Sequence, residues 1–191
     1  MSVLQSRFLE LLGCVERLGM DHLSAYLVDE TDFFTAPAST YHHGSKESGL
    51  VEHSLAVYDN LVTIMNAFFE KFDSQSLIIC GLLHDVCKTN FYQKGYRNKK
   101  NEQTGRWEKV EVYEIHDQLP LGHGEKSVMI LQRYIPLSED EMMAIRWHMA
   151  GFDDATRGYG GMQTLSAAMK RYPLITALHM ADMATTYFNG V

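Results

Sequence analysis

From Leu50 to about Phe72, apolar residues occupy most of the circumference of a helix, so this segment is stable in water only if other elements enclose it. Helical spacing elsewhere supplies the partners. Leu4, Phe8, Leu11, Leu12, Val15 and Leu18 recur at intervals of three and four, which predicts an amphipathic helix over most of Met1–Gly19, and a short helix is expected from Asp21 to about Val28. Asp73 and Ser74 are caps for a further helix whose apolar run Leu77–Leu83 leads directly into His84 and Asp85. Later helices are expected from near Gly124 to a point before Pro136, from the capping box Ser138-x-x-Glu141 to Met149, over Leu165–Lys170, and from Pro173 to Phe188.

Two segments break this pattern. Pro37, Ser39, Gly44, Ser45, Ser48 and Gly49 mark irregular chain between Thr31 and Gly49, and this loop carries His42 and His43. From Asn90 to His116, Tyr92, Tyr96, Trp107, Val110, Val112, Tyr113 and Ile115 favour strands, and the turn-like stretch from Asn101 to Gly105 divides them. The expected architecture is all-α, with a β-hairpin inserted at about residues 90–117. Residues 1–36 form a helical extension packed on a core of residues 37–190, a single domain overall, and 191 residues are enough to enclose one core.

Nine histidines raise the question of placement. His53, His84 with Asp85, His123, His148 and Asp182 each fall within or at the end of an expected helix and beside apolar residues. Metal-binding side chains on helices are held in that way by the core and aimed inward. Lys88 follows His84 by four residues and Asp85 by three, so on a continuing helix its ammonium would reach over the same site and hold a phosphate oxygen.

The order H…HD…H…H…D resembles the HD superfamily of metal-dependent phosphohydrolases. Leu83-His84-Asp85-Val86-Cys87-Lys88, Gly122-His123-Gly124, Trp147-His148-Met149 and His179 with Asp182 carry the resemblance, together with Glu52-His53-Ser54. It includes the two additional histidines that distinguish binuclear, phosphodiesterase-like members from mononuclear nucleotidases. The segment from Pro37 through Ala56 is further similar to the entrance of bacterial 3′–5′ exoribonucleases and of relaxase-associated HD domains. Two positions depart from the pattern: Ser48-Gly49 stands for the usual Gly-Gly, and Cys87 for the glycine that usually precedes the lysine.

The resemblance implies an HD-domain helical bundle with two divalent transition metal ions, Mn, Fe, Co, Ni or Zn, which suit imidazole and carboxylate together. By it, His53, His84, Asp85 and Asp182 hold one ion, and Asp85, His123 and His148 hold the second. Asp85 and Lys88 would be catalytic; Lys88, with His42 and His43 of the entrance loop, would contact substrate. Two ions about 3.5–4 Å apart acidify a water and clamp both oxygens of an in-line displacement. The implied reaction is hydrolysis of a nucleotide, cyclic nucleotide or short oligonucleotide phosphoester. The same ligands leave two alternatives open, a diiron oxygenase of this fold and a non-catalytic, metal-dependent sensor.

The rest of the sequence is read more plainly. His116-Asp117 lies at the hairpin's end before Pro120 and is taken as a decoy, His179 as a partner of a ligand or a core residue, and His22 as surface; Cys87 could sit near the metals but is read as inert packing. His42 and His43 have an equal alternative as loop histidines satisfied by backbone. The hairpin interleaves Lys94, Arg97, Lys99, Lys100, Arg106 and Lys109 with aromatics but also carries Glu102, Glu108, Glu111 and Glu114, so a solvated hairpin competes with a lid beside the metals. A formal charge of −7 argues against long nucleic acid and anionic membrane as partners while leaving a small phosphorylated substrate open. Three cysteines without a C-x-x-C pair, and no apolar run approaching a span, predict a cytoplasmic protein of unassigned oligomeric state.

Overall fold

The computed structural model describes residues 1–40, 44–69 and 71–191. Helix α3, Gly49–Phe68, is the enclosed axis, with His53, Ser54, Leu55, Val57, Leu61 and Met65 all buried. Its N-cap, Ser48, stands in the left-handed region at φ 61, a conformation that costs an L-residue roughly 1–2 kcal/mol. Two bonds hold it there: its hydroxyl donates to Phe34 O at 2.8 Å and its amide to Thr35 O at 3.0 Å. The helix ends short of the expected Phe72, because Phe69 turns extended at φ −133, ψ 135; Phe69 and Phe72 still pack on the core from non-helical chain.

Helix α4, Ser74–Leu83, is buried at every position from Ser76 to Leu83, and Asp73 caps it by accepting from Gln75 N. Its mid-helix Gly81 is a packing necessity, since a Cβ there would lie 2.7 Å from the Tyr58 Cα of α3. Helices α8 (Pro173–Ala184) and α1 (Val3–Leu12) also pack on α3, while α6 (Glu139–Trp147) bridges α4, α8 and α5 (His123–Leu131). Helix α2 (Met20–Ala25) runs on through one wider turn, Tyr26–Glu30, and α7 (Gly161–Arg171) lies against α8.

Further boundaries differ from the sequence expectation. The first helix stops at Leu12 with Gly13 as its cap, leaving Leu18 88% exposed. The turn that replaces its second half carries Arg17 to Glu141 of α6, where two guanidinium nitrogens meet the two carboxylate oxygens at 2.7 and 2.9 Å. Helix α7 begins at Gly161, four residues before Leu165, after two short 3₁₀ turns, Ala150–Phe152 and Asp154–Arg157. Helix α5, His123–Leu131, ends before Pro136 as expected.

The hairpin is present: β1 (Tyr92–Lys100) and β2 (Trp107–Ile115) pair antiparallel, with Tyr92 opposite Ile115 and Lys100 opposite Trp107. Most of its residues are exposed, and its charges pair within the sheet, Lys94 with Glu111 and Arg97 with Glu114. The structure is therefore mostly helical with one two-stranded sheet. Among the described residues no helix is long and apolar enough to cross a membrane.

Candidate metal centre

Five elements deliver side chains to one buried spot. His53 comes from the second turn of α3, His84 from the C-cap of α4, His123 from the first residue of α5, His148 from the C-cap of α6 and Asp182 from the last turns of α8. Asp85 follows His84 as the chain leaves α4, and a 3₁₀ turn, Val86–Lys88, comes next. The α-helix has thus already ended where the same-face argument for Lys88 needs it to continue. The tighter turn makes the contact instead, placing Lys88 Nζ 2.7 Å from Asp85 Oδ2.

Asp85, only 3% exposed, is the hub. Its Oδ2 lies 3.7 Å from His53 Nε2 and 3.5 Å from His84 Nε2; its Oδ1 lies 3.5 Å from His148 Nε2 and 2.5 Å from His123 Nε2. Asp182 Oδ1 stands 3.2 Å from His53 Nε2. The imidazoles form a row, with ring centres 5.5 Å apart for His53 and His84, 5.0 Å for His84 and His148, and 5.3 Å for His148 and His123.

Whether such a group suits a metal is decided by what the rings lack. In three of them Nδ1 faces a backbone carbonyl: His53 that of Val191 at 3.1 Å, His84 that of Gly81 at 3.1 Å, and His148 that of Ile145 at 2.7 Å. A carbonyl only accepts, so Nδ1 carries the hydrogen, and Nε2 is the atom that each ring turns inward toward the carboxylates. Those three Nε2 atoms are buried and have no hydrogen-bond partner. An unpaired buried nitrogen costs about 1–3 kcal/mol, and three converging beside two carboxylates are satisfied together by a cation. Three overlapping sets have ligand atoms all within 4.8 Å of one another: His53, His84 and Asp182; His84, Asp85 and His148; and Asp85, Cys87 and His123. The donor set fits divalent transition ions.

The electrostatics are those of a site organised around a carboxylate. Burial pushes the Asp85 carboxyl up, but Lys88, His84 and His123 outweigh it and hold the group well below the usual carboxylate range. Burial works against the Lys88 ammonium, yet Asp85 raises its pKa above the ordinary lysine value, so the charge is permanent. Burial lowers His84 to about 4, keeping the ring neutral and able to donate its lone pair. Asp182 is pulled down by its contact with His53 in spite of burial. His123 rises to about 10, because Cys87 and Asp85 overcome its desolvation.

All six residues expected from sequence as ligands, with Lys88, are thus brought together, while His42 and His43 lie outside the described residues. His116 is exposed and Asp117 pairs with Lys126, which removes the second HD dipeptide from the site. His179 stands behind a ligand, its Nδ1 2.8 Å from the His148 carbonyl. Two residues of the site were missed. Cys87, read as packing, faces His123, with Sγ 3.5 Å from Nδ1 and 3.7 Å from Nε2. Tyr92, read as a strand residue and as one of the hairpin's interleaved aromatics, has its hydroxyl 3.4 Å from Ala38 O; burial and the nearby Asp85 carboxylate push its pKa up to about 12 although Lys88 acts to lower it. The adjacency of Cys87 to Lys88 was the available signal for the first, and nothing local marks the second.

A family model described as HD domain matches residues 50–171. No curated protein and no solved structure matches the chain.

Proposed function

The chain belongs to the HD-domain family, and on that premise we propose that it is a binuclear metal-dependent phosphohydrolase acting on a small phosphoester, a nucleotide, cyclic nucleotide or short oligonucleotide. The family's general activity is metal-dependent phosphohydrolysis, and candidate ligands for a metal are present in the chain. One observation carries the finer reading: three buried, unpartnered Nε2 atoms surround a carboxylate whose two oxygens face different ligands. His53, His84, Asp182 and Asp85 Oδ2 would hold one ion; Asp85 Oδ1, His123 and His148 would hold the other. Bound divalent ions supply Lewis acidity toward a phosphoryl oxygen and lower the pKa of water toward ~7.

The chain's own residues set the rest. His53, His84 and His148 turn unpartnered ring nitrogens inward, and Asp85 joins the two sets. Lys88, 17% exposed, reaches outward from the buried group with a permanent charge and is suited to hold a phosphate oxygen. It keeps its proton, so its role is electrostatic rather than that of a general base. Tyr92, also protonated, flanks the same side at the hairpin's base. His42 and His43 are proposed as further substrate contacts from the entrance loop. A small anion is favoured over long nucleic acid because hairpin cations such as Lys94 already pair with hairpin carboxylates. The protein is proposed to work in the cytoplasm.

The test is elemental analysis of the purified protein, followed by phosphodiester and nucleoside-phosphate panels with manganese, iron or zinc restored. Cleavage in one class is expected, with Asp85→Ala reducing it on the order of 10³-fold or more. A metal-replete protein inert toward every phosphoester would refute the assignment.

A further inference from the structure

We propose that Cys87 supplies a thiolate ligand to the second metal position, beside Asp85, His123 and His148, and that this position prefers zinc to manganese. The inference rests on the metal-centre reading and concerns a residue outside the ligand set implied by the family resemblance. That resemblance expects a glycine at this position.

The geometry distinguishes Cys87 from a packing cysteine. Its thiol is free, the residue is 4% exposed, and its sulfur is directed at an imidazole rather than at aliphatic carbon. Zinc bonds of about 2.3 Å to sulfur and about 2.0–2.1 Å to nitrogen, set tetrahedrally, separate the two ligand atoms by about 3.5 Å. The observed distances from Sγ to the two His123 ring nitrogens are 3.5 and 3.7 Å. Asp85 Oδ1 completes a cluster in which all three donors lie within 4.8 Å of one another. An independent observation points to the same place: His148, 1% exposed, aims an unpartnered Nε2 at that same Asp85 oxygen from 3.5 Å. Together these make four donors, one sulfur, two nitrogens and one oxygen.

The backbone fixes the sulfur's direction. The Cys87 amide donates to Ser127 Oγ of α5 at 3.2 Å, and the 3₁₀ turn is closed by Lys88 N donating to Asp85 O at 2.9 Å. The sulfur is therefore pinned between the turn that carries Asp85 and the helix that begins with His123. Cys80 provides the contrast: fully buried inside α4, with its pKa raised by desolvation, it is a thiol of the hydrophobic core.

On coordination the Cys87 thiol and the protonated His123 ring each release a proton to solvent, and the sulfur and the freed ring nitrogen donate electron pairs to the ion, with no change of oxidation state. A soft thiolate selects zinc over manganese more strongly than carboxylate and imidazole alone.

Cobalt(II) separates the possibilities, in a Cys14→Ser background that removes the exposed thiol. The expected result is a near-ultraviolet thiolate-to-cobalt charge-transfer band that disappears in Cys87→Ser and Cys87→Gly while elemental analysis still finds bound cobalt. The zinc-over-manganese preference should fall on the order of 10- to 100-fold in both variants. Cobalt bound to the parent protein without the band would overturn the thiolate ligand and leave the metal centre standing. Failure to bind cobalt at all would overturn both.

Discussion

Glu141→Gln tests how the ligand-bearing helices are held in place. Glu141 is fully buried, and its carboxylate accepts from Arg17 at 2.7 and 2.9 Å, from Ser76 Oγ at 2.7 Å and from Ser138 N at 2.8 Å. It thereby ties the chain after α1 and the first turn of α4 to the first turn of α6, and the far ends of α4 and α6 carry His84, Asp85 and His148. Removing one partner of a buried ion pair costs about 3–5 kcal/mol, because the other charge stays behind without compensation. Arg17, with its side chain 18% exposed, is in that position. With an unfolding entropy of about 2.1 cal/mol/K per residue, the loss lowers Tm by about 7–12 °C.

The pH dependence has a definite sign. Burial raises the Glu141 pKa, but the bonds from Arg17, Ser76 and Ser138 bring it below the ordinary 4.5. A depressed folded-state pKa stabilises the protein above the unfolded value, and the contribution is lost as pH falls through the folded value. The wild-type advantage over Glu141→Gln should be full near pH 7 and shrink on acidification below about 4.5. Urea denaturation of the metal-free protein across that range measures it. A loss below about 1 kcal/mol, or one unchanged in acid, would refute the assignment of Glu141 as a buried ionic tie.

Three further outcomes follow from other parts of the structure. Lys88→Met should lower kcat/KM toward the phosphoester roughly 10- to 100-fold, the range of one charge-assisted hydrogen bond, while metal content stays constant; unchanged kinetics would remove Lys88 from substrate binding. Gly81→Ala should destabilise by about 1–3 kcal/mol in urea titration through contact with the Tyr58 backbone, although helix propensity alone predicts about 1 kcal/mol in the opposite direction. Adding an ion at a thousandfold excess over its Kd should stabilise the protein by roughly 4 kcal/mol in thermal melts, and Asp85→Ala should abolish the shift.

What the sequence made legible was periodicity and order. The apolar wrap of α3, the capping box at Ser138 and Glu141, and the hairpin follow from rules acting within a few residues, as does the placing of each ligand at a helix interior or end. What it concealed was set by distant partners. The turn after Leu12 brings Arg17 to an acid more than a hundred residues away, and no local pattern announces that pairing. The capping box showed Glu141 as a helix-start residue, while its burial and its bonds to Arg17 and Ser76 depend on three elements meeting. For Cys87 burial was anticipated, but the contact of its sulfur with His123 depends on how a 3₁₀ turn faces α5.

The carbonyls that steady His84 and His148 belong to Gly81 and Ile145, each three residues earlier in the last turn of the same helix. Oxygens of a final helical turn lack partners further along the chain, so one bond both closes the helix end and orients the ring. Aim is thus inherited from helix termination rather than from loops. The orientation of these two rings therefore depends on where α4 and α6 end and not on the length of the hairpin.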